Sequence, residues 1–386
     1  MKIAFLTPEF PHVKTGPSGG LGTSIFNLAK GLIQSGHEVS VLVYGQKEDE
    51  VFKENGVTFY KVKNIKLKGF SRFLTQNKIQ KLINRLIDEN KIDIIEAPDW
   101  TGITSHIRTL CPISIRLHGS DTYFCHLDKR SVKFLNRFNE KKALQKADAL
   151  ISVSQYTATL TKELFSLNKE FTIIPNSVDL DDFNNNNIEF EENTVLYFGT
   201  LIRKKGAFEL PFIFNELYKK NTDVQLILIG RDASDIQSGN SSTWTMMQPL
   251  FDVDALKNVN YLGSVPYDEI KNHIAKASVC VFPTFAEALP VSWIEAMTMQ
   301  KAIVASSIGW ASEVIEDSVN GFLVHPNRHE EYASKIQDLL QNEKLRAQFG
   351  AEARKKVERE FSISVVAKKN VEFYERVILR YKTNEF

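Results

Sequence analysis

The sequence predicts an α/β protein built from two doubly wound, Rossmann-like domains, on two observations. Short apolar runs such as KIAFLT alternate with helix-length polar segments along the first part of the chain. After an Asn- and acid-rich stretch, the alternation starts again with VLYFGT and VQLILIG. Such alternation is typical of a parallel sheet covered by helices on both faces. The length of 386 residues also fits two domains of this kind.

The predicted domain boundaries follow these changes of composition. We expect an N-terminal domain over residues 1–178 and a linker over residues 179–193, where DLDDFNNNNIEFEEN offers little to bury. A second domain is expected over residues 194–362. Residues 363–386 are predicted to form a C-terminal helix that packs back on the first domain. Ligands of open α/β sheets gather at the carboxyl ends of the strands, so we expect a binding cleft between the two domains.

Composition excludes several classes of protein. The net charge of +1 gives no global attraction to nucleic acid. The three scattered cysteines form neither a metal-type pair nor an even disulfide set. The N-terminus passes straight into a strand pattern, and no apolar run reaches the length of about 18 residues that a membrane span needs. We therefore expect a cytoplasmic protein.

The loop GPSGGLG follows the first predicted strand and precedes a helix. Gly20 and Gly22 let backbone amides approach a phosphate or a sugar without a side-chain clash. A tight turn with no ligand is the plainer alternative. The loop lacks the G-x-G-x-x-G pattern, and VSVLVYGQ has no acid at the end of the second strand, so a dinucleotide-dependent enzyme is disfavoured.

Two further strand ends carry polar groups. The strand ISIRLHG delivers His118 at its carboxyl end, as a catalytic or ligand-binding group or as a hydrogen-bonded structural histidine. VLYFGTLIRKKG places Arg203 and Lys205 just after a strand. Cations at this position suit a diphosphate, whereas a solvated basic loop is the ordinary alternative.

The stretch TFAEALPVSWIEAM carries two carboxylates in an apolar run. Glu287 is predicted in the loop before a helix, where the exposed amides form an anion site, and Glu295 inside that helix. In the plainer alternative Glu287 is a helix cap and Glu295 a surface residue. The apolar neighbours of Glu295, however, predict a buried carboxylate that needs a partner.

Together these stretches resemble family 4 of the glycosyltransferases, which are retaining, nucleotide-sugar-dependent enzymes with the GT-B fold. The resemblance covers nearly the whole chain, and its most specific element is the pair Glu287 and Glu295, separated by seven residues. The chain departs from the family at Thr200, where an arginine is usual and for which Arg203 is a possible substitute. It also departs at Pro290, where glycine is common.

The resemblance implies roles for the site residues. Glu287 would contact the transferred sugar, Glu295 the ribose, and Lys205 the diphosphate. His118 would lie by the anomeric carbon and the acceptor. The amides of Leu289 and Val291 would cradle phosphate.

The resemblance also implies the reaction. A glycosyl unit would pass with retention from a nucleoside diphosphate sugar to an acceptor hydroxyl, in polysaccharide or glycolipid synthesis. We expect no essential metal, because no Asp-x-Asp or His-rich pattern stands at a strand end, and no cofactor, since the nucleoside diphosphate sugar is the donor substrate. Two alternatives remain open at this point: a nucleotide-sugar epimerase, and a non-catalytic protein that binds sugar nucleotides.

Two stretches of the first domain, residues 61–81 and 127–146, interleave cations with Phe and Leu. Solvated helix faces are the ordinary interpretation. The alternative is peripheral contact with an anionic membrane, which would hold the enzyme near a lipid-linked acceptor.

Overall fold

The computed structural model describes residues 1–16, 18–184 and 190–383. The chain divides into two compact units, the first formed by Met1–Ser177 with Phe361–Phe386 and the second by Val178–Glu360. The divisions lie within two residues of those expected at 178 and 362. Residues 185–189 of the predicted linker lie outside the described residues.

The strands of the described residues are β1 (Lys2–Thr7), β2 (Glu38–Gln46), β3 (Glu50–Glu54), β4 (Val57–Lys63), β5 (Ile94–Pro98), β6 (Ile113–Leu117), β7 (Ala149–Ser152), β8 (Thr172–Ile173), β9 (Thr194–Phe198), β10 (Gln225–Ile229), β11 (Val259–Tyr261), β12 (Val279–Phe282), β13 (Ala302–Ser306) and β14 (Phe322–Val324). Their α-helices are α1 (Gly20–Gln34), α2 (Ser71–Asp88), α3 (Asp121–Leu127), α4 (Phe134–Lys146), α5 (Gln155–Phe165), α6 (Glu209–Lys220), α7 (Thr243–Met247), α8 (Val253–Leu256), α9 (Tyr267–Lys276), α10 (Val291–Thr298), α11 (Ala311–Val314), α12 (His329–Gln341), α13 (Glu343–Glu360) and α14 (Ile363–Thr383).

The first unit is built on one sheet with the strand order β3-β4-β2-β1-β5-β6-β7-β8. Neighbouring strands are parallel except for the edge pair β3 and β4. Strands β1, β5 and β6 are almost wholly buried, which explains why they read as continuous apolar runs rather than as alternating ones. Apolar clusters of buried side chains lie on both faces of this sheet, as a doubly wound unit requires.

Helix α14 packs on this first unit. It lies against α1, where a Cβ added at Gly31 would stand 2.8 Å from the carbonyl oxygen of Ile363. A buried polar network also joins it to the sheet. Arg116 pairs with Glu96 (Nε to Oε1, 2.7 Å), Tyr374 donates to Glu96 Oε2 at 2.7 Å, and Arg116 donates to Asn370. These bonds satisfy charges that would otherwise be costly to bury.

The second unit is built on a wholly parallel sheet with the strand order β11-β10-β9-β12-β13-β14. The predicted doubly wound α/β architecture is therefore confirmed in both units. Strands β9 and β12 are neighbours, so the loops that leave their carboxyl ends lie side by side. No helix of the described residues is both long and apolar enough to cross a membrane.

Candidate active site

The site in the second unit is built from the loops that follow β9 and β12. The β9 loop forms a 3-10 turn over Arg203–Lys205 and ends at Gly206, whose φ of 75° is left-handed. A Cβ at Gly206 would stand only 1.8 Å from the carbonyl oxygen of Pro283 in the β12 loop. The amides of Phe285 and Ala286 donate to the carbonyl oxygen of Lys204 at 2.9 and 3.0 Å. The two loops therefore hold one another in a fixed arrangement.

This arrangement brings Lys205 and Glu287 together. Lys205 Nζ lies 2.8 Å from Glu287 Oε1, and the two side chains keep 25% and 17% of their surfaces exposed. Burial alone would raise the pKa of Glu287, but the charges of Lys205 and Lys204 and a hydrogen bond from Lys205 hold it below its ordinary value. Glu287 is therefore a carboxylate at neutral pH, and it lies beside a cation that a ligand can reach.

Glu295 is the fifth residue of α10, just over one turn into the helix, and is 4% exposed, so the surface interpretation of this residue is wrong. The hydroxyl of Tyr267, the first residue of α9, donates to Oε1 of Glu295. Burial raises the pKa of Glu295 to about 7, against the lowering effects of the Tyr267 hydrogen bond and the Lys205 charge. The predicted buried carboxylate with a partner is confirmed.

Arg203 makes a bidentate ion pair inside the second unit. Its Nε and Nη2 donate to Oδ1 and Oδ2 of Asp235 at 3.0 and 2.8 Å, and its guanidinium lies 4.3 Å from the ring centre of Phe208. Asp235 is only 2% exposed, and the Arg203 hydrogen bonds lower its pKa against the effect of burial. Diphosphate binding by Arg203 stays a prediction, since its strongest contact in the structure is a structural one.

The predicted phosphate cradle lies where the β12 loop meets α10. Pro290 is the residue before the helix, Val291 is its first residue, and Leu289 precedes both. The first N–H groups of a helix have no partner inside the helix and carry its positive end. The amides at this terminus are thus placed on the same loop as Glu287.

In the first unit, His118 follows β6 and donates its backbone N–H to Oδ1 of Asp99 at 3.0 Å. Burial and the nearby Arg116 lower the pKa of His118 to about 3, so its imidazole is neutral at physiological pH. Asp99 is 1% exposed, and burial raises its pKa to about 7. Its Oδ2 has no hydrogen-bond partner among the described residues.

Gly20 and Gly22 lie in the first turn of α1, which begins inside the predicted loop. The amides of Gly19 and Gly22 donate to Oε1 of Glu9 at 2.9 and 3.0 Å. A carboxylate of the chain itself thus occupies amides that were predicted to approach a phosphate or a sugar. Ligand binding by Gly20 and Gly22 stays a prediction.

Three participants were missed by the sequence reasoning. Asp99 follows β5 directly, and the rule that singled out His118 at the end of the adjacent strand would have found it. Tyr267 and Asp235 come from segments without a recognisable pattern, and only the folded chain brings them to Glu295 and Arg203. Among the described residues, no group of three or more His, Cys, Asp or Glu side chains is placed to hold a metal ion.

Comparison with known proteins identifies two family models that together cover most of the chain. Residues 18–182 match Glycosyltransferase Family 4, and residues 179–356 match Glycosyl transferases group 1. An uncharacterized glycosyltransferase of Methanocaldococcus jannaschii is 24% identical over an alignment of 400 residues. The alignment covers 97% of this chain and 98% of that protein. The capsular polysaccharide biosynthesis glycosyltransferase CapM of Staphylococcus aureus is 26% identical over 59% of this chain and 61% of its own length.

A similar solved structure is that of HepE from Anabaena in complex with UDP and glucose. Its TM-score is 0.75 at 19% identity, with 97% of this chain and 99% of that chain covered. At this level of identity the likeness concerns the fold, and it confirms the GT-B fold expected from the sequence.

Proposed function

We propose, from the premise that this chain belongs to the glycosyltransferases of family 4 and group 1, that it is a retaining enzyme that uses a nucleoside diphosphate sugar. It transfers the sugar to an acceptor hydroxyl. A glycosyltransferase is what both family models describe, and the donor class, the stereochemistry and the residue roles are our proposal.

The pair formed by Lys205 and Glu287 carries this proposal. A fixed cation beside a carboxylate, at the carboxyl ends of two adjacent parallel strands, is suited to a ligand that is anionic on one side and rich in hydroxyls on the other. Lys205 neutralises the charge that grows on the diphosphate as the glycosidic bond breaks. Glu287, held ionised by the same lysine, accepts hydrogen bonds from the hydroxyls of the transferred sugar.

Glu295 serves the nucleotide end of the donor. The hydroxyl of Tyr267 donates to Oε1 of Glu295, and the second carboxylate oxygen is Oε2. We assign this oxygen to a ribose hydroxyl. Burying the Glu295 carboxylate costs free energy in the protein without donor. A hydrogen bond from the donor hydroxyl offsets part of that cost.

His118 acts on the acceptor side as a neutral group. With a pKa of about 3, its imidazole accepts or donates a hydrogen bond to a hydroxyl but adds no positive charge beside the electron-poor anomeric carbon. In the step, the bond from the anomeric carbon to the leaving phosphate oxygen breaks, and the acceptor oxygen bonds to the same face of that carbon. The acceptor proton passes to the leaving phosphate.

The acceptor is proposed to be a saccharide or a lipid-linked saccharide of surface polysaccharide or glycolipid synthesis. The likeness to CapM supports this choice of acceptor class. We place the reaction in the cytoplasm, at the inner face of the membrane. It needs neither a metal ion nor a cofactor, since Lys205 and the N-terminus of α10 supply the positive charge that stabilises the leaving group.

The proposal is tested by incubating the protein with nucleotide sugars, UDP-glucose first because HepE was solved with UDP and glucose, and measuring released nucleoside diphosphate. Lys205→Ala should lower both donor affinity and rate severely, by at least tenfold each. The matched control is Lys276→Ala, which removes another ion-paired lysine of the same unit, 3.0 Å from Glu191. NMR of the product's anomeric centre reports whether configuration is retained.

Three results would contradict the proposal. These are wild-type activity in Lys205→Ala, inversion at the anomeric carbon, and activity that EDTA abolishes and magnesium restores. The first would exclude the role of Lys205, the second the retention of configuration, and the third the independence from a metal ion.

A further inference from the structure

Several of the large apolar side chains that the first unit exposes lie in two segments. Phe70 and Phe73 of residues 66–73 are 62% and 55% exposed, and Phe134 and Phe138 of residues 133–142 are 79% and 49% exposed. Leu67 and Leu135 are exposed in the same two segments. We call these two segments the α2–α4 surface.

The two segments form one continuous surface. The rings of Phe73 and His106 have centroids 6.3 Å apart, and Lys142 Nζ lies 3.2 Å from His106 Nδ1. Lys142 also lies 5.9 Å from the ring centre of Phe138, which stacks on Phe134 at 6.4 Å. A continuous row of contacts therefore runs from Phe73 on α2 through His106 and Lys142 to the two stacked rings on α4.

The charge of the α2–α4 surface has one sign. Its cations are Lys66, Lys68, Arg72, Lys133, Arg137, Lys141 and Lys142. Its one acid, Glu140, is 0% exposed and accepts hydrogen bonds from the amides of Thr101, Asp121 and Thr122. The pKa of His106 is lowered by burial and by the charges of Lys142, Lys146 and Arg72, as a positive surface requires. An ordinary solvated face mixes both signs, as Lys78 and Asp49 do nearby.

The α2–α4 surface adjoins the acceptor-side residues of the first unit. Residues 66–70 lie between the carboxyl end of β4 and α2, and residues 71–73 are the first residues of α2. Arg72 donates to the carbonyl oxygens of Thr101 and Gly102, and Asp99, two residues earlier in the chain, accepts the backbone N–H of His118. A partner seated on the surface is therefore held next to the edge of the sheet that presents His118.

We propose that the α2–α4 surface docks on an anionic lipid surface, with the Phe side chains in the interface and the cations on the headgroups. Exposed aromatic rings suit the boundary of a bilayer, and cations that make no ion pair with a carboxylate of the described residues suit its negative headgroups. This inference rests on the proposed function, since it names the place where a lipid-linked acceptor is met.

The test is sedimentation of the full-length protein with vesicles of phosphatidylcholine and of phosphatidylcholine mixed with phosphatidylglycerol. We expect binding to the anionic vesicles that falls as salt is raised. Lys133→Gln with Lys141→Gln should weaken it about thirtyfold, at about 1 kcal/mol for each cation. Phe134→Ser with Phe138→Ser should weaken binding while the salt dependence is kept.

The matched control is Arg376→Gln with Arg380→Gln, which removes two exposed cations from α14 in the same unit. Equal weakening in this control, equal binding to neutral vesicles, or no binding to anionic ones would overturn the inference. Release of nucleoside diphosphate with a water-soluble acceptor is measured in parallel and should match wild type in all three variants. Loss of that release in the wild-type protein would instead count against the proposed function.

Discussion

Glu295→Gln is expected to stabilise the second unit at alkaline pH while it weakens donor binding. The substitution keeps the shape of the side chain and an oxygen for the Tyr267 hydroxyl, but it removes the buried charge. A residue kept only for packing would not give a variant that is more stable and less functional. The opposite directions of the two effects are the signature of a site residue that is held in an unfavourable environment.

The magnitude follows from the raised pKa of Glu295. The pKa of Glu295 is 4.5 in the unfolded chain and about 7 in the folded protein, so the folded state binds the proton more tightly. The associated stability is present below pH 4.5 and is lost as the pH rises through 7. At 1.36 kcal/mol for each factor of ten in proton affinity, the wild-type protein loses roughly 3 kcal/mol by about pH 8. Glu295→Gln does not pay this cost.

Urea unfolding followed by tryptophan fluorescence measures this difference. Trp244, Trp293 and Trp310 belong to the second unit, and the last two are fully buried, so the signal reports mainly on the unit that contains Glu295. We expect the variant to be more stable than wild type by roughly 3 kcal/mol at about pH 8 and by roughly 1 kcal/mol at about pH 5. Donor affinity should fall by roughly 1.5–3 kcal/mol, as for loss of a hydrogen bond to a charged group.

A raised pKa of Glu295 is refuted if Glu295→Gln is less stable than wild type at about pH 8, or if the gain in stability is the same at both values of pH. Either result would mean that the charged form is well accommodated in the fold. Unchanged donor affinity together with the expected gain in stability would leave the electrostatics correct and the ribose assignment wrong.

Two further predictions concern the loops and the histidine. Gly206→Ala should lower the free energy of unfolding by more than about 3 kcal/mol and impair donor binding, because its Cβ meets Pro283. The control Gly263→Ala, at a φ of 71° with open space around it, should lower it by only about 1 kcal/mol. Equal unfolding free energies of the two variants in urea would contradict the fixed arrangement of the two loops. The ratio of wild-type activity to that of His118→Asn should stay constant between about pH 5 and 8, because an imidazole with a pKa of about 3 remains neutral there; a ratio that changes across this range would show that His118 titrates.

Much of the fold was predictable because parallel strands buried on both faces leave an unmistakable apolar pattern. KIAFLT and VLYFGT became β1 and β9, and the periodic apolar side of the tail became α14. The start of α1 was not predictable, because its first turn contains Gly20 and Gly22, and glycines at such close spacing indicate a loop. The helix forms there because the carboxylate of Glu9 satisfies the amides of Gly19 and Gly22 from ten or more residues away.

The candidate site was predictable to the extent that it lies on single segments. Lys205 and Glu287 lie in the loops that follow β9 and β12, and Glu295 lies on α10, so position in the chain indicates position in the sheet. The contacts that tune them join distant segments: Tyr267 to Glu295, and Asp235 to Arg203. Such pairs form only in the folded chain. The position of Arg203 in a basic loop therefore did not indicate its ion pair with Asp235.

Lys205 lowers the pKa of both glutamates of the stretch TFAEALPVSWIEAM, but the net shift is downward at Glu287 and upward at Glu295. Lys205 contacts Glu287 directly and keeps it ionised, while at Glu295 the same charge only partly offsets the cost of burial. A donor diphosphate on Lys205 would weaken both effects, because the phosphate charge competes for the cation. The pKa of each carboxyl should then rise on donor binding unless the donor's hydroxyls compensate by hydrogen bonding. The sugar and ribose hydroxyls that we assign to Glu287 and Glu295 supply that compensation, so charge on the diphosphate and hydrogen bonds at both ends of the donor have to be satisfied together.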